Sequence, residues 1–163
     1  MTDKIKIFTT GGTIDKVYFD ARSTYEIGQP AICELLEGLT LSVDWECEAL
    51  MGKDSLILTT EDRDLILSRI RASSHKRIVI THGTDTMVET AKHLSELKDK
   101  TIVLTGSLQP ALFKDSDAAF NIGGALATVQ AMPVGVYIFM NGRVFSHDNV
   151  CKNLELNRFE LPA

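Results

Sequence analysis

Arg77-Ile78-Val79-Ile80-Thr81-His82-Gly83-Thr84-Asp85-Thr86-Met87 passes from strand to turn to helix within a short span. The β-branched run Ile78-Val79-Ile80 reads as a fully buried strand, and Gly83 breaks it. Thr84 and Asp85 are residues of helix starts, and Met87, Ala91 and Leu94 then recur at the spacing of one helix face. A second strand, Thr101 to Thr105, follows that helix. A strand, a helix and a strand in this order predict a parallel pair joined by a right-handed crossover.

The flanking sequence repeats the theme. Upstream, Lys4 to Thr10 is a short apolar run that ends in Gly11-Gly12, again a strand feeding a tight turn. Asp15 to Gly28 is polar and suggests no element. Pro30 opens a helix carrying Ile32, Leu35 and Leu36, which Gly38 stops. Val43, Trp45, Cys47 and Ala49 alternate with acidic residues, the period of a half-exposed strand. Thr59 or Thr60 caps a helix with Leu65, Ile66 and Ile70 on its apolar side. Downstream, a helix from about Ser116 to Gln130 ends at Pro133, and Val134 to Met140 is a strand. Asn141-Gly142 signals a hairpin into Arg143 to Phe145. The tail beyond Cys151 fits helix or strand equally. The expected fold is α/β: an open, mostly parallel sheet with helices on both faces and a C-terminal hairpin. Residues 1–163 are expected to form one domain, with no second domain.

Composition excludes several functions. The chain has 163 residues, 44% hydrophobic and 24% charged, with a net charge of -5 and no basic cluster. A nucleic-acid or anionic-membrane surface would need a basic stripe, so neither partner is expected. No stretch approaches the length of a membrane span. Cys33, Cys47 and Cys151 are odd in number and lack C-x-x-C spacing, so no disulfide framework or zinc site is expected. These features predict a reducing, cytoplasmic setting.

In sheets of this kind the ligand crevice lies at the carboxyl ends of the strands. Two loops rich in Gly and Thr fall there: Thr10-Gly11-Gly12-Thr13 and His82-Gly83-Thr84-Asp85-Thr86. A Gly-Gly turn lets backbone approach a ligand closely and aims Thr13 into the crevice. A threonine hydroxyl becomes a useful nucleophile only when a base takes its proton, and the second loop offers a hydroxyl and a carboxylate. Each residue also has a plainer reading. Thr13 can simply finish a turn, Asp85 can cap a helix, and His82 can be a packed or solvated imidazole. The G-x-x-x-x-G-K-[ST], G-x-G-x-x-G and G-x-S-x-G signatures are absent, although a Gly-Gly-Thr turn can also cradle a phosphate.

The two loops together resemble the paired signatures of the bacterial-type L-asparaginases: Thr10-Gly11-Gly12-Thr13-Ile14 and Thr81-His82-Gly83-Thr84-Asp85-Thr86-Met87. The similarity continues through Val103-Leu104-Thr105-Gly106-Ser107 and Ser116-Asp117, and runs along essentially the whole chain as that family's N-terminal domain. The resemblance implies a short asparaginase that hydrolyses L-asparagine to L-aspartate and ammonia through an acyl-enzyme. It implies that Thr13 is the nucleophile, that Tyr25 lies on a mobile loop and assists it, and that Thr84, Asp85 and Lys152 form a hydroxyl, carboxylate and amine cluster. Ser55 matches a residue that holds the substrate α-carboxylate, and Asp85 the group that binds its ammonium, with Gly12 and Gly83 lining the site. No metal or organic cofactor is implied, and a homodimer or homotetramer is. Alternatives are hydrolysis of another amide, such as glutamine, and a non-catalytic amino-acid sensor that kept the pocket.

Overall fold

The computed structural model describes residues 4–163. Its centre is a six-stranded sheet built from β1 (Ile5–Gly11), β4 (Trp45–Lys53), β5 (Arg77–Thr81), β6 (Thr101–Thr105), β7 (Gly135–Met140) and β8 (Arg143–Ser146), in the order β4-β1-β5-β6-β7-β8. All neighbours are parallel except β8, which folds back on β7 through Asn141-Gly142. Asn141 and Gly142 both hold positive φ, the conformation a two-residue hairpin needs.

Alternation along the buried strands divides the core between two faces. Phe8, Ile78, Ile80, Ile102 and Leu104 pack with α2 (Thr60–Ala72) and α3 (Met87–Leu94). Ile5, Ile7, Val79 and Val103 face the other way, against α1 (Ala31–Glu37) and α4 (Ala118–Ala131). Successive side chains of a strand point to opposite faces, so a strand covered on both sides reads as a continuous apolar run. The expected sheet with helices on both faces is therefore found.

Thr59 caps α2 through a capping box with Asp62. On that helix Ile66, Leu67 and Ile70 are buried, whereas Leu65 points outward, contrary to the expected apolar side. The polar stretch after Asp15 also departs from expectation. It folds into an antiparallel hairpin, β2 (Lys16–Phe19) with β3 (Thr24–Ile27). Its residues Val17, Tyr18, Phe19 and Tyr25 are exposed, so no hydrophobic alternation marks it. The tail forms a second small ribbon, β9 (Cys151–Asn153) with β10 (Arg158–Glu160).

One covalent feature corrects the sequence reading. Cys33 on α1 and Cys47 on β4 form a disulfide, leaving Cys151 as the free thiol. A spacing of 14 residues carries no motif, and only the packing of α1 beside β4 brings the two sulfurs together. Among the described residues no helix is long and apolar enough to cross a membrane.

Candidate active site

The strand order reverses between β1 and β5: from β1 the chain goes first outward to β4, then to the other side through β5, β6 and β7. Helices on opposite faces splay apart at such a point and leave a crevice at the strand ends. The Gly11-Gly12-Thr13 turn leaves β1 there, and the 82–86 loop leaves β5 beside it.

The two turns touch through backbone. Gly12 holds φ +88, and a Cβ placed on it would lie 2.5 Å from Gly83 N. A Cβ on Gly83 would lie 2.6 Å from the Ser55 side chain. Any larger residue at either position would drive the loops apart. Thr13, half-buried, opens the short 3-10 turn Thr13–Asp15 directly after Gly12.

Across the loop stands a hydrogen-bonded cluster. Lys152 Nζ donates to Thr84 Oγ1 at 2.8 Å and to Asp85 Oδ1 at 2.9 Å. Thr84 is buried and Lys152 mostly so, while the Asp85 carboxylate reaches solvent. Asp85 is not a helix cap: Thr86 holds that position, and no side chain caps α3. The carboxylate is thus free to balance the ammonium of Lys152. The ribbon that carries Lys152 is fixed by buried Phe159, directly opposite it in register, and by Phe159 N–H donating to Asn141 Oδ1 at 2.8 Å.

The remaining expected residues are placed differently. Ser55 is buried against Gly83; its hydroxyl accepts the Thr86 N–H at 3.3 Å and its carbonyl accepts the Thr86 hydroxyl at 2.8 Å. It supports the 83–86 loop from beneath. Tyr25 is 48% exposed on β3 and stacks edge-on against Tyr18 and Phe113, with ring centroids 5.4 and 5.7 Å away, rather than on the Lys152 cluster. The structure thus joins Gly12, Ser55, Gly83, Thr84, Asp85 and Lys152, and leaves Tyr25 on an outlying hairpin.

Residues that sequence reasoning passed over support this arrangement. Thr10 Oγ1 donates to the Thr81 carbonyl at 2.8 Å and ties the two strand ends together. Asp15, nearly inaccessible, accepts the Ala31 N–H at 2.8 Å, which links the Thr13 turn to α1. Burial pushes its carboxyl up to about 6. It lines a cavity of about 490 Å³ with Ile14, Val17, Leu35 and Leu112, beside the Thr13 turn and separate from the lysine cluster. Among the described residues no group of three His, Cys, Asp or Glu side chains is placed to hold a metal ion.

A family model described as "Asparaginase, N-terminal" matches residues 4–159. The chain belongs to the asparaginase family. It is 30% identical over 174 residues to a "Glutaminase-asparaginase" of Pseudomonas fluorescens, covering 97% of this chain and 48% of that protein. It is 30% identical over 161 residues to "L-asparaginase 2" of Escherichia coli, covering 91% of this chain and 46% of that one. The thermostable L-asparaginase of Thermococcus kodakarensis superposes with a TM-score of 0.85 at 28% identity, over 97% of this chain and 51% of that one. This asparaginase-family chain therefore spans about half the length of the relatives it matches.

Proposed function

We propose that this chain hydrolyses the side-chain amide of L-asparagine through a threonine acyl-enzyme. The observation that carries the reading is the Thr84–Lys152–Asp85 cluster beside the Gly12-Thr13 turn. An ammonium donating to Thr84 Oγ1 turns that hydroxyl's own proton away from the lysine and lowers the cost of negative charge on the oxygen. Asp85 balances the lysine and offers its exposed oxygen to the substrate's ammonium.

In this scheme Thr13 Oγ attacks the amide carbon, a C–O bond forms, and the charge on the carbonyl oxygen is met by backbone N–H donors of the two loops. The proton of Thr13 passes to the leaving nitrogen, the C–N bond breaks and ammonia departs. Water then attacks the ester carbon, its proton passes to the Thr84 oxygen, and the Thr84 proton passes to the departing Thr13 oxygen. The Lys152 ammonium meets the charge that builds on Thr84, and aspartate leaves with Thr13 restored. Side chains and backbone donors carry every step. Tyr25 enters by the same reading as a residue brought over Thr13 by movement of the β2–β3 hairpin. Glutamine is the second candidate substrate, favoured by the "Glutaminase-asparaginase" names among the relatives.

Ammonia release from asparagine and glutamine tests the assignment. Thr13→Ala, Thr84→Val and Lys152→Met are each expected to lower turnover at least ~10²-fold while circular dichroism stays that of the parent. Near-parental release from any one of them removes that residue from the scheme.

A further inference from the structure

Behind the Gly83 loop lies a buried chain of polar groups that the reaction scheme leaves unused. Arg63 Nε donates to Thr90 Oγ1 at 2.9 Å. Thr90 Oγ1 lies 2.8 Å from His82 Nε2, and His82 Nδ1 lies 2.7 Å from the Gly83 carbonyl oxygen. All three side chains are buried, and none belongs to the threonine–lysine cluster.

The hydrogens in this chain have one arrangement. A carbonyl oxygen only accepts, so the imidazole proton sits on Nδ1. Nε2 is then an acceptor and takes the Thr90 hydroxyl hydrogen, while the Thr90 oxygen accepts from Arg63. Burial, aided by the nearby Arg63 charge, pushes the imidazole down to about 4, which keeps the ring neutral across ordinary pH. A protonated ring would lose the acceptor that Thr90 addresses.

The consequence lies in the peptide that follows. None of the described peptide bonds is cis, and in a planar trans peptide the C=O and N–H point in opposite directions. Fixing the Gly83 carbonyl toward His82 therefore fixes the Thr84 N–H away from it. The loop has little other freedom: His82 N–H donates to the Thr105 carbonyl at 2.9 Å, and Gly83 is wedged between Gly12 and Ser55.

We propose that His82 is a positioning residue, which holds the Gly83 carbonyl inward through Nδ1–H so that the Thr84 N–H is presented to a negatively charged oxygen of the substrate. The proposal rests on the amide-hydrolase reading above, and deepens it by naming what aims one of its backbone donors. His82 takes no part in proton transfer.

Two substitutions separate this role from simple core filling. His82→Leu keeps the bulk and removes the donor. His82→Asn keeps an N–H where imidazole Nδ1 stands and removes Nε2. The expected result is a fall of about tenfold or more in kcat/KM for asparagine in His82→Leu, most of it in kcat, and recovery to within about threefold of the parent in His82→Asn. Unchanged kcat/KM in His82→Leu, or an asparagine variant as impaired as the leucine one, overturns the proposal.

Nitrogen-15 NMR of the ligand-free protein reads the same question without turnover. His82 is expected as the Nδ1–H tautomer at pH 6 and at pH 8. The Thr84 amide resonance is expected to move in His82→Leu and to return in His82→Asn. An Nε2–H tautomer, or a Thr84 amide indifferent to both substitutions, overturns the assignment. If the parent protein releases no ammonia from asparagine or glutamine, the amide-hydrolase reading fails, and these spectra still decide the role of His82. Where His82→Leu does not fold, Thr90→Val keeps the ring and its Gly83 partner and removes only the partner at Nε2. The Nδ1–H tautomer is then still expected, with kcat/KM no more than about threefold below the parent, and an Nε2–H tautomer overturns the proposal.

Discussion

Asp15 stands two residues after Thr13, nearly inaccessible, with the Ala31 N–H favouring its charged form and desolvation opposing it more strongly. Its folded value of about 6 lies above the unfolded 3.8, so between these pH values the native state binds more protons than the unfolded one. Stability is expected to fall as pH rises from about 3.8 to about 6, and to be independent of this group above that window. In Asp15→Asn the amide oxygen still accepts from Ala31, and this slope should vanish. Urea midpoints of both proteins at pH 4.5 and pH 7 measure the difference, and parallel profiles would remove Asp15 as its source. The burial of Asp15 was not readable from a polar stretch in which it had no periodic neighbours. Lys152 is a similar case. In sequence it is one lysine in a polar tail, separated from Asp85 by 67 positions, and only the family resemblance singled it out. Thr13, Thr84 and Asp85 were legible because glycine turns at strand ends announce them. Asp85 read more readily as a helix cap than as a ligand until Thr86 proved to hold the cap position.

Among elements, α1 is held at its start by Asp15 and along its length by the Cys33–Cys47 bond to β4. Cross-linking residues 14 apart removes unfolded-state freedom amounting to ~3 kcal/mol. Urea unfolding with and without dithiothreitol should show a loss of that order in the parent and none in Cys33→Ser/Cys47→Ser. If the parent is equally stable with reductant, the cross-link contributes nothing. Sequence reading missed the pair because cysteine pairing depends on which helix lies over which strand. It missed the β2–β3 hairpin for a different reason. That hairpin leaves Val17, Tyr18, Phe19 and Tyr25 exposed, so nothing in its pattern separates an inner face from an outer one. The buried strands and the helices over them were legible, since their apolar residues must repeat with the period of the element that buries them.

At the scale of the molecule, the doubly covered sheet explains why two loops seventy residues apart meet: parallel strands with right-handed crossovers bring alternate turns to one edge. The tail is joined to this frame by Phe159, buried in the same cluster as Ile80 and Met140, and by the hydrogen bonds to Asn141, Thr84 and Asp85. Phe159→Ala is expected to cost ~3–5 kcal/mol of stability and to lower ammonia release as well, because the ribbon carrying Lys152 loosens. Preserved turnover in a destabilised variant would show that the ribbon keeps its place without that side chain. A ribosome makes this chain in an order that matters for its chemistry. Every strand of the central sheet, and both threonine turns, are synthesised by Ser146, whereas the amine follows on β9. The nascent protein therefore has the means to build its crevice before Lys152 is made, and the Thr84–Lys152–Asp85 cluster closes only when the β9–β10 ribbon has emerged and docked.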